Sequence, residues 1–374
     1  MTRTADVVII GGGVIGCSIA YQLAKLGIKS TVLERAQLAA GASGATAGVV
    51  APLWHLPPTL GPAFALGIRS LEMFPGLAIE LLDAGIDPAF RQDGVLRLAF
   101  SPEEVAELKR GLAWQAELSL GVTWLQPEEI FEREPEASRA VLGGVYSPRE
   151  GHVHGQKYTQ ALAHAAAELG ASFLENTEVT GLEFQGSKVI GVRTATGTYH
   201  CDRTVLAAGP WTGIAGRWLP EELPVLPVKG QRILLKKTGF LPRCPVRNSD
   251  AYVVPWTDGN LLVGATREEG RFDEETTAEG IRHLISSAIT SFPVLRDAIF
   301  MGARAGVRPG SPDELPMLGP VPGWEGLSVA SGHDHVGVML SPGSGELMAN
   351  YISTGDAGPL EPFAISRFLS KVSP

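Results

Sequence analysis

The chain of 374 residues exceeds what a single hydrophobic core fills, roughly 250 to 300 residues, so two lobes and a sizeable cavity are expected. With 44% apolar and 19% charged residues the composition excludes a disordered chain and fits a compact, loop-rich globular enzyme. The 31 Lys plus Arg stand against 40 Asp plus Glu, a net charge of −9 with no concentrated basic run, so nucleic acid is not an expected partner.

Cys17, Cys201 and Cys244 are odd in number and far apart in sequence, which fits a reducing compartment and offers no metal spacing. Cys17 falls in a helix pattern and reads as a small core residue. The opening MTRTADVVIIGGG enters a strand without a charged leader, and no stretch reaches the ~18 apolar residues needed to span a bilayer. A soluble cytoplasmic protein is the expectation.

Asp6 to Ile10 is a short continuous apolar run, the pattern of a parallel strand buried on both faces. It leads into Gly11-Gly12-Gly13-Val14-Ile15-Gly16. A helix pattern through Ile19, Ala20, Leu23 and Ala24 ends at Gly27, and a second strand, Ser30 to Leu33, ends at Glu34. Strand, GxGxxG, helix, strand and acid in this order predict a dinucleotide-binding unit. Gly11 makes the tight turn, Gly13 lets the backbone approach a pyrophosphate, and Gly16 allows helix to pack on strand. Val14 and Ile15 open the helix whose positive end faces the phosphates. Glu34, followed by Arg35, would accept hydrogen bonds from an adenosine ribose and disfavours a 2′-phosphate.

Two further elements favour FAD over NAD. Gly41 to Gly48, with Ala42, Ser43 and Ala47, is a small-residue segment that lets backbone pass close to an extended cofactor. Far downstream, Thr204 to Ala208 is a buried strand closing on the Gly209-Pro210-Trp211 turn. Between them a strand near Val95 to Phe100 and a charged helix after Ser101-Pro102 precede a helix from Lys157 to Gly170 and strands through Val179 and Val189 to Thr194. Later, Val228 to Leu235, Ala251 to Pro255 and Asn260 to Gly264 have strand composition, with Asp258-Gly259 as a hairpin turn, and Thr277 to Thr290 reads as a helix. Ala303 to Pro309 and Leu327 to Ala330 follow as strands, and a last helix begins near Gly337.

DVVIIGGGVIGCSIAYQLAKLG, GATAGVVAP, FRQDGVLRLAFS, VLPVKGQ, AYVVPWTDGNLLVGAT, AGVRPGSPDELPMLGP and SGHDHVGVMLSPGSGELMA together resemble the D-amino-acid oxidase superfamily of flavoenzymes, and within it the glycine oxidase branch. The resemblance covers nearly the whole chain. It implies an α/β FAD-binding, Rossmann-like domain of the glutathione-reductase type, discontinuous over 1–85, 144–222 and 294–374. An α+β substrate domain with a mainly antiparallel sheet would occupy 86–143 and 223–293.

The same resemblance implies that Arg308 binds the substrate carboxylate and that Tyr252 hydrogen-bonds it and forms one pocket wall. A planar guanidinium suits that task because it offers parallel N–H donors. Arg304 reads as structural. Arg267 replaces an apolar pocket residue of glycine oxidases, and would either reach an acidic or larger substrate or turn to solvent. Gly48, Val49 and Val179 complete the expected FAD contacts. Non-covalent FAD is expected, since no cysteine lies near the last motif and the early loop has no histidine before His55, itself read as an entrance residue.

Residues 331 to 337, SGHDHVG, could in isolation hold a metal. Their position between a buried strand and a helix points instead to backbone N–H groups around Val336 to Met339 facing the flavin. His333, Asp334, His335, Val336, Gly337, Val338 and Met339 are therefore assigned to the cofactor, with no metal. His333 supports the loop, and His335 touches flavin or substrate. At His335-Val336 the branch carries an arginine-asparagine pair, so two readings stay open. One is an oxidase of glycine, sarcosine or D-amino acids that passes electrons to O₂. The other is a dehydrogenase for proline, hydroxyproline, D-amino acids or opines that serves a partner subunit. A flavin-bearing structural protein is a third reading. Homo-oligomerisation is expected, and hetero-oligomerisation follows from the dehydrogenase reading.

Overall fold

A computed structural model describes residues 3–220 and 222–368. The apolar run at the start becomes the strand Arg3–Ile10, parallel to Ser30–Leu33 on one side and to Gly197–Leu206 on the other. Ser172–Leu174 extends this parallel sheet at one edge and Leu327–Ser331 at the other, in a sheet of eight strands. Val8 and Ile9 are fully buried, as a strand covered on both faces requires. One face is packed by the helices Val14–Lys25, Gly155–Glu168 and Gly337–Thr354, and the other by residues such as Leu182 and Val192 of the antiparallel pair Val179–Gln185 and Lys188–Thr194.

The helix Gly337–Thr354 crosses Val14–Lys25 at close range because Gly345 has no side chain: a Cβ there would lie 2.3 Å from Ser18 Oγ. Pro342 cannot donate to the carbonyl four residues back, at Val338. Ser341 Oγ donates to that oxygen instead at 2.8 Å, and Ser18 Oγ donates to Ser341 O at 2.7 Å. The apolar helix thus keeps its backbone satisfied while its N-terminal end stays fixed under the sheet.

The second sheet has nine strands. In Leu226–Lys236 the odd positions Ile233 and Leu235 join the core beneath helix Ala278–Ser291, while Leu234 faces the other way with Leu262, Val254 and Trp256. On the helix side Lys229 is fully buried and paired with Asp273 at 2.5 Å and Glu268 at 3.6 Å. Thr277, the N-cap of that helix, accepts from Gly280 N at 3.1 Å, which is why the helix starts one residue after the position expected. The Asp258-Gly259 turn joins the antiparallel strands Tyr252–Pro255 and Leu261–Gly264, with Gly259 at φ 82°.

Two strands pair across the expected domain limits. Ile299–Gly310, assigned from sequence to the last cofactor segment, pairs antiparallel with Leu226–Lys236 along its length. Gly143–Ser147 pairs with Val95–Ala99 and Thr123–Leu125 in the same second sheet. Both join the second sheet because their hydrogen-bonding partners lie there, and nothing in their own apolar pattern names that partner. Residues 1–2, 221 and 369–374 of the assigned ranges lie outside the described residues. Among the described residues, no helix is long and apolar enough to cross a membrane.

Candidate active site

A cavity of ≈ 680 Å³ runs from the first glycine turn to the face of the second sheet. Its first end is mainly backbone. Gly11, at φ 114°, lies so close to the strand Gly197–Leu206 that a Cβ would stand 2.4 Å from Ala207 O. Gly16 meets the Gly11 carbonyl in the same way, at 2.1 Å. Val14 N donates to Ser43 Oγ at 2.9 Å, so the small-residue loop is tied directly to the start of the first helix. Glu34 accepts from Gly12 N at 2.7 Å and from Ala36 N at 2.9 Å, one bond to each oxygen. Each oxygen retains a lone pair toward the cavity. Arg35 lies 3.7 Å from the centre of the Trp211 ring, giving this end a flat cationic platform.

The SGHDHVG segment closes the cavity from the side. His333 is buried, its Nε2 3.0 Å from Ser344 Oγ, and burial lowers its pKa to about 3, so the ring is neutral and structural. Asp334 adopts φ 42° and its Oδ2 accepts from Arg267 at 2.7 Å, with His335 Nδ1 at 3.5 Å. Burial opposes its ionisation, but the hydrogen bond and charge of His335 and then Arg267 prevail and hold the carboxyl at about 2. Arg267 is thereby committed to Asp334, and to Glu269 at 3.3 Å. Among the described residues, no group of three or more His, Cys, Asp or Glu is arranged to hold a metal.

At the far end Arg308 folds over Gly230, where a Cβ would come within 2.2 Å of the guanidinium. Both its terminal nitrogens donate to Thr266 O at 3.2 Å, which leaves other N–H donors for a ligand. Tyr252 stands in the same sheet at the start of the strand Tyr252–Pro255, its ring 6.3 Å from Trp54 in an edge-on arrangement. Burial raises the Tyr252 phenol, opposed by Arg308, Arg247 and Arg232, so it is a hydrogen-bond donor at neutral pH. His55 stacks on Trp54 at 5.3 Å and meets His335 at 5.1 Å. Arg304 donates to Gly44 O at 3.2 Å and to Ala40 O, clamping the second sheet to the small-residue loop.

The cavity wall thus gathers Gly11, Gly13, Val14, Ile15, Glu34, Arg35, Ala42, Ser43, Ala47, Val49, Val179 and Gly209 from the expected cofactor set. It also gathers Tyr252, Arg267, Arg308, His333, Asp334, His335, Gly337 and Val338. Four expected residues do not line it. Gly16 and Gly48 serve chain packing, Gly48 against Val153 O at 2.0 Å from a built Cβ. Val336 and Met339 are in the apolar core, and Val336 N is spent on His333 O at 3.0 Å. The N–H groups that the segment offers the cavity therefore start at Gly337, where the helix has no side-chain cap. Sequence reading missed Arg232 and Arg247, both on the wall, and gave Trp54 and Trp211 no role in the site. Cys17, Cys201 and Cys244 are unpaired, buried and off the wall.

A parallel sheet with a glycine turn, an acid after the second strand and a second sheet bearing cationic side chains over one long cavity define a two-domain flavoprotein oxidoreductase. The chain belongs to the family described as FAD dependent oxidoreductase, whose model matches residues 6–351. It is 35% identical over 376 residues to the glycine oxidase of Geobacillus kaustophilus, covering 100% of this chain and 99% of that one. It is 36% identical over 352 residues to the glycine oxidase of Pseudomonas aeruginosa, covering 93% and 94%. The crystal structure of the Geobacillus kaustophilus glycine oxidase superposes with a TM-score of 0.93 at 33% identity, covering 98% of this chain and 100% of that one.

Proposed function

We propose that the chain catalyses oxidation of a small amino acid or secondary amine, of the glycine, sarcosine or D-amino-acid type, with O₂ as acceptor and H₂O₂ as product. The observation that carries this reading is Arg308 over Gly230 beside Tyr252, at one end of a cavity whose other end is a glycine turn. FAD fits that cavity because Gly11 and Gly13 leave bare backbone where side chains would stand and Glu34 keeps lone pairs for ribose hydroxyls. Gly11, Gly13, Val14 and Ile15 would hold the pyrophosphate, Arg35 and Trp211 the adenine, and Ala42, Ser43, Ala47 and Val49 the flavin ring. Bound FAD supplies a hydride acceptor and returns the two electrons to O₂.

The chain's own residues orient the substrate and exclude water. Arg308 takes the carboxylate through parallel N–H donors, and the protonated Tyr252 adds a third. His55 and Tyr252 wall the reacting end, with Trp54 packed against both rings. The uncapped start of Gly337–Thr354 places a positive dipole end at the cavity, where negative charge would develop on the cofactor. A peroxide assay across glycine, sarcosine and D-alanine tests the reading. Turnover with peroxide equal to substrate consumed supports it. Flavin bleaching without peroxide in air would instead indicate a dehydrogenase.

Self-association is part of the same reading, supported by the exposed apolar run Ile299, Phe300 and Met301 at 61%, 47% and 51% exposure. A cytoplasmic location is likewise proposed, supported by three unpaired cysteines.

A further inference from the structure

The cavity face of the second sheet carries a cationic row that no single-carboxylate substrate uses up. Arg304 pairs with Arg232, Arg232 with Gly264, Gly264 with Tyr252, Tyr252 with Arg247, and Arg247 with Arg97, one residue from each of six adjacent strands. Residues directly opposite in a sheet share a face. Their neighbours Val246, Val253, Val263 and Ile233 all point into the opposite core, which fixes the orientation of the row. Gly264, lacking a side chain, opens the row at its centre beside Tyr252.

Glu150 and Glu107 act on Arg97, and Glu107 on Arg247, without closing an ion pair. Among the described residues, Arg97, Arg232, Arg247 and Arg308 form no ion pair, whereas Arg267 at the same cavity forms two. Arg247 donates only its Nε, to Asn248 O at 3.2 Å, and its guanidinium lies 5.3 Å from the Trp54 ring, so its terminal nitrogens are unspent. Arg232 is 9% exposed with a buried Nε that meets no acceptor. The acids on the wall are engaged or peripheral. Glu34 is bonded to backbone, Asp334 to Arg267, and Glu178, Asp250 and Glu274 are exposed at the rim. Unpaired buried guanidinium groups are costly unless a ligand supplies the anion. His55 registers this field: desolvation and then His335, Arg247, Arg97 and Arg308 hold its ring neutral.

Arg308 and Arg247 flank Tyr252 from opposite sides. Their strands are four spacings apart, roughly 19 Å, and both side chains reach inward far enough to act on the Tyr252 phenol between them. A molecule with two carboxylates a few bonds apart, each met by a guanidinium, spans such a gap, and a molecule the size of glycine does not. We propose that this site selects amines bearing two carboxylates, one held by Arg308 with Tyr252 and the second by Arg247. The proposal rests on the amine-oxidising reading above and narrows its substrate.

The test compares iminodiacetate, D-aspartate and D-glutamate with glycine, sarcosine and D-alanine on the FAD-loaded wild type and on Arg247→Ala and Arg247→Lys. The wild type is expected to favour the dicarboxylates at least tenfold in kcat/KM. Arg247→Ala should cost the dicarboxylates at least tenfold more than it costs the monocarboxylates, mainly through KM, and Arg247→Lys should recover part of the loss. In parallel, succinate and acetate are titrated against the flavin absorbance of the wild type, where succinate is expected to bind at least tenfold more tightly. A wild type that favours monocarboxylates, or an Arg247→Ala loss equal for both classes, overturns the proposal while leaving amine oxidation intact. If no amine reduces the flavin, the oxidase reading fails, and the succinate titration alone decides whether the site takes two carboxylates.

Discussion

At the cofactor end of the cavity, recognition is built from main chain held close by glycine, whereas at the substrate end it is built from long side chains converging from separate strands. The first arrangement is local. Gly11, Gly16 and Glu34 lie within one strand-helix-strand unit, where Gly16 meets the Gly11 carbonyl and Glu34 bonds Gly12 N. The second is non-local: Arg308 is placed over Gly230 by a strand pairing that spans the two segments 226–236 and 299–310. A main-chain site tolerates almost no added atoms, and a side-chain site tolerates shape changes but not loss of charge.

Changes at the glycine turn should have the largest effect. Gly16→Ala puts a methyl 2.1 Å from the Gly11 carbonyl, so the turn must open. Bound flavin per chain, read from visible absorbance after gel filtration, should fall to near zero. Full flavin content would show that the turn is not what holds the cofactor.

Next comes Arg308→Ala, which removes the carboxylate partner and leaves the cofactor end untouched. Loss of a charged hydrogen-bonding partner of about 2 to 4 kcal/mol predicts kcat/KM lower by roughly 30- to 1,000-fold at normal FAD content. Loss of flavin in this variant would erase the distinction between the two ends.

Glu150 tests the wall that carries His55. Its carboxyl is 1% exposed and accepts from Leu53 N at 2.7 Å, at the base of the turn leading to Trp54 and His55. Burial raises its pKa to about 7 despite that bond and Arg97. Because the folded pKa is raised, the stability it contributes is present at low pH, below the ordinary carboxylate range, and is lost as pH rises through about 7. The wild type should lose on the order of 2 kcal/mol through this group between about pH 5 and 8. Glu150→Gln keeps an acceptor for Leu53 N and should remove that slope in denaturant unfolding at the two pH values. An unchanged slope would place the carboxyl outside the titration.

The smallest effect is expected at Arg267. Its ion pair with Asp334 is half exposed, with the arginine side chain at 44%, so Arg267→Ala should lower stability by less than about 1 kcal/mol in a thermal melt. A loss in kcat/KM as large as that of Arg308→Ala would return Arg267 to direct contact with substrate.

This contrast also sets what the sequence discloses. The βαβ unit was legible because Asp6 to Glu34 carries its whole signal in order, and the Asp258-Gly259 turn is equally local. Arg247 and Arg232 were not, since facing the cavity depends on register with Tyr252 and Gly264 rather than on their own neighbours. Val336 illustrates the reverse failure. Its place before the last helix suggested a free N–H, but the tight turn at His333 takes that group and turns the side chain into the core. The strand expected at Ala303 to Pro309 runs over Ile299–Gly310 and joins the second sheet, because an apolar pattern states that a segment is extended and not which sheet it joins.

The most direct test of a carboxylate-anchoring FAD site is anaerobic stopped-flow mixing of a responsive amino acid with the FAD-loaded wild type and with Arg308→Ala, followed by admission of air. The wild type should bleach and then regain its oxidised spectrum with one peroxide formed per flavin, while Arg308→Ala should bleach at least 30-fold more slowly at subsaturating substrate. Equal bleaching in the two proteins would contradict the account.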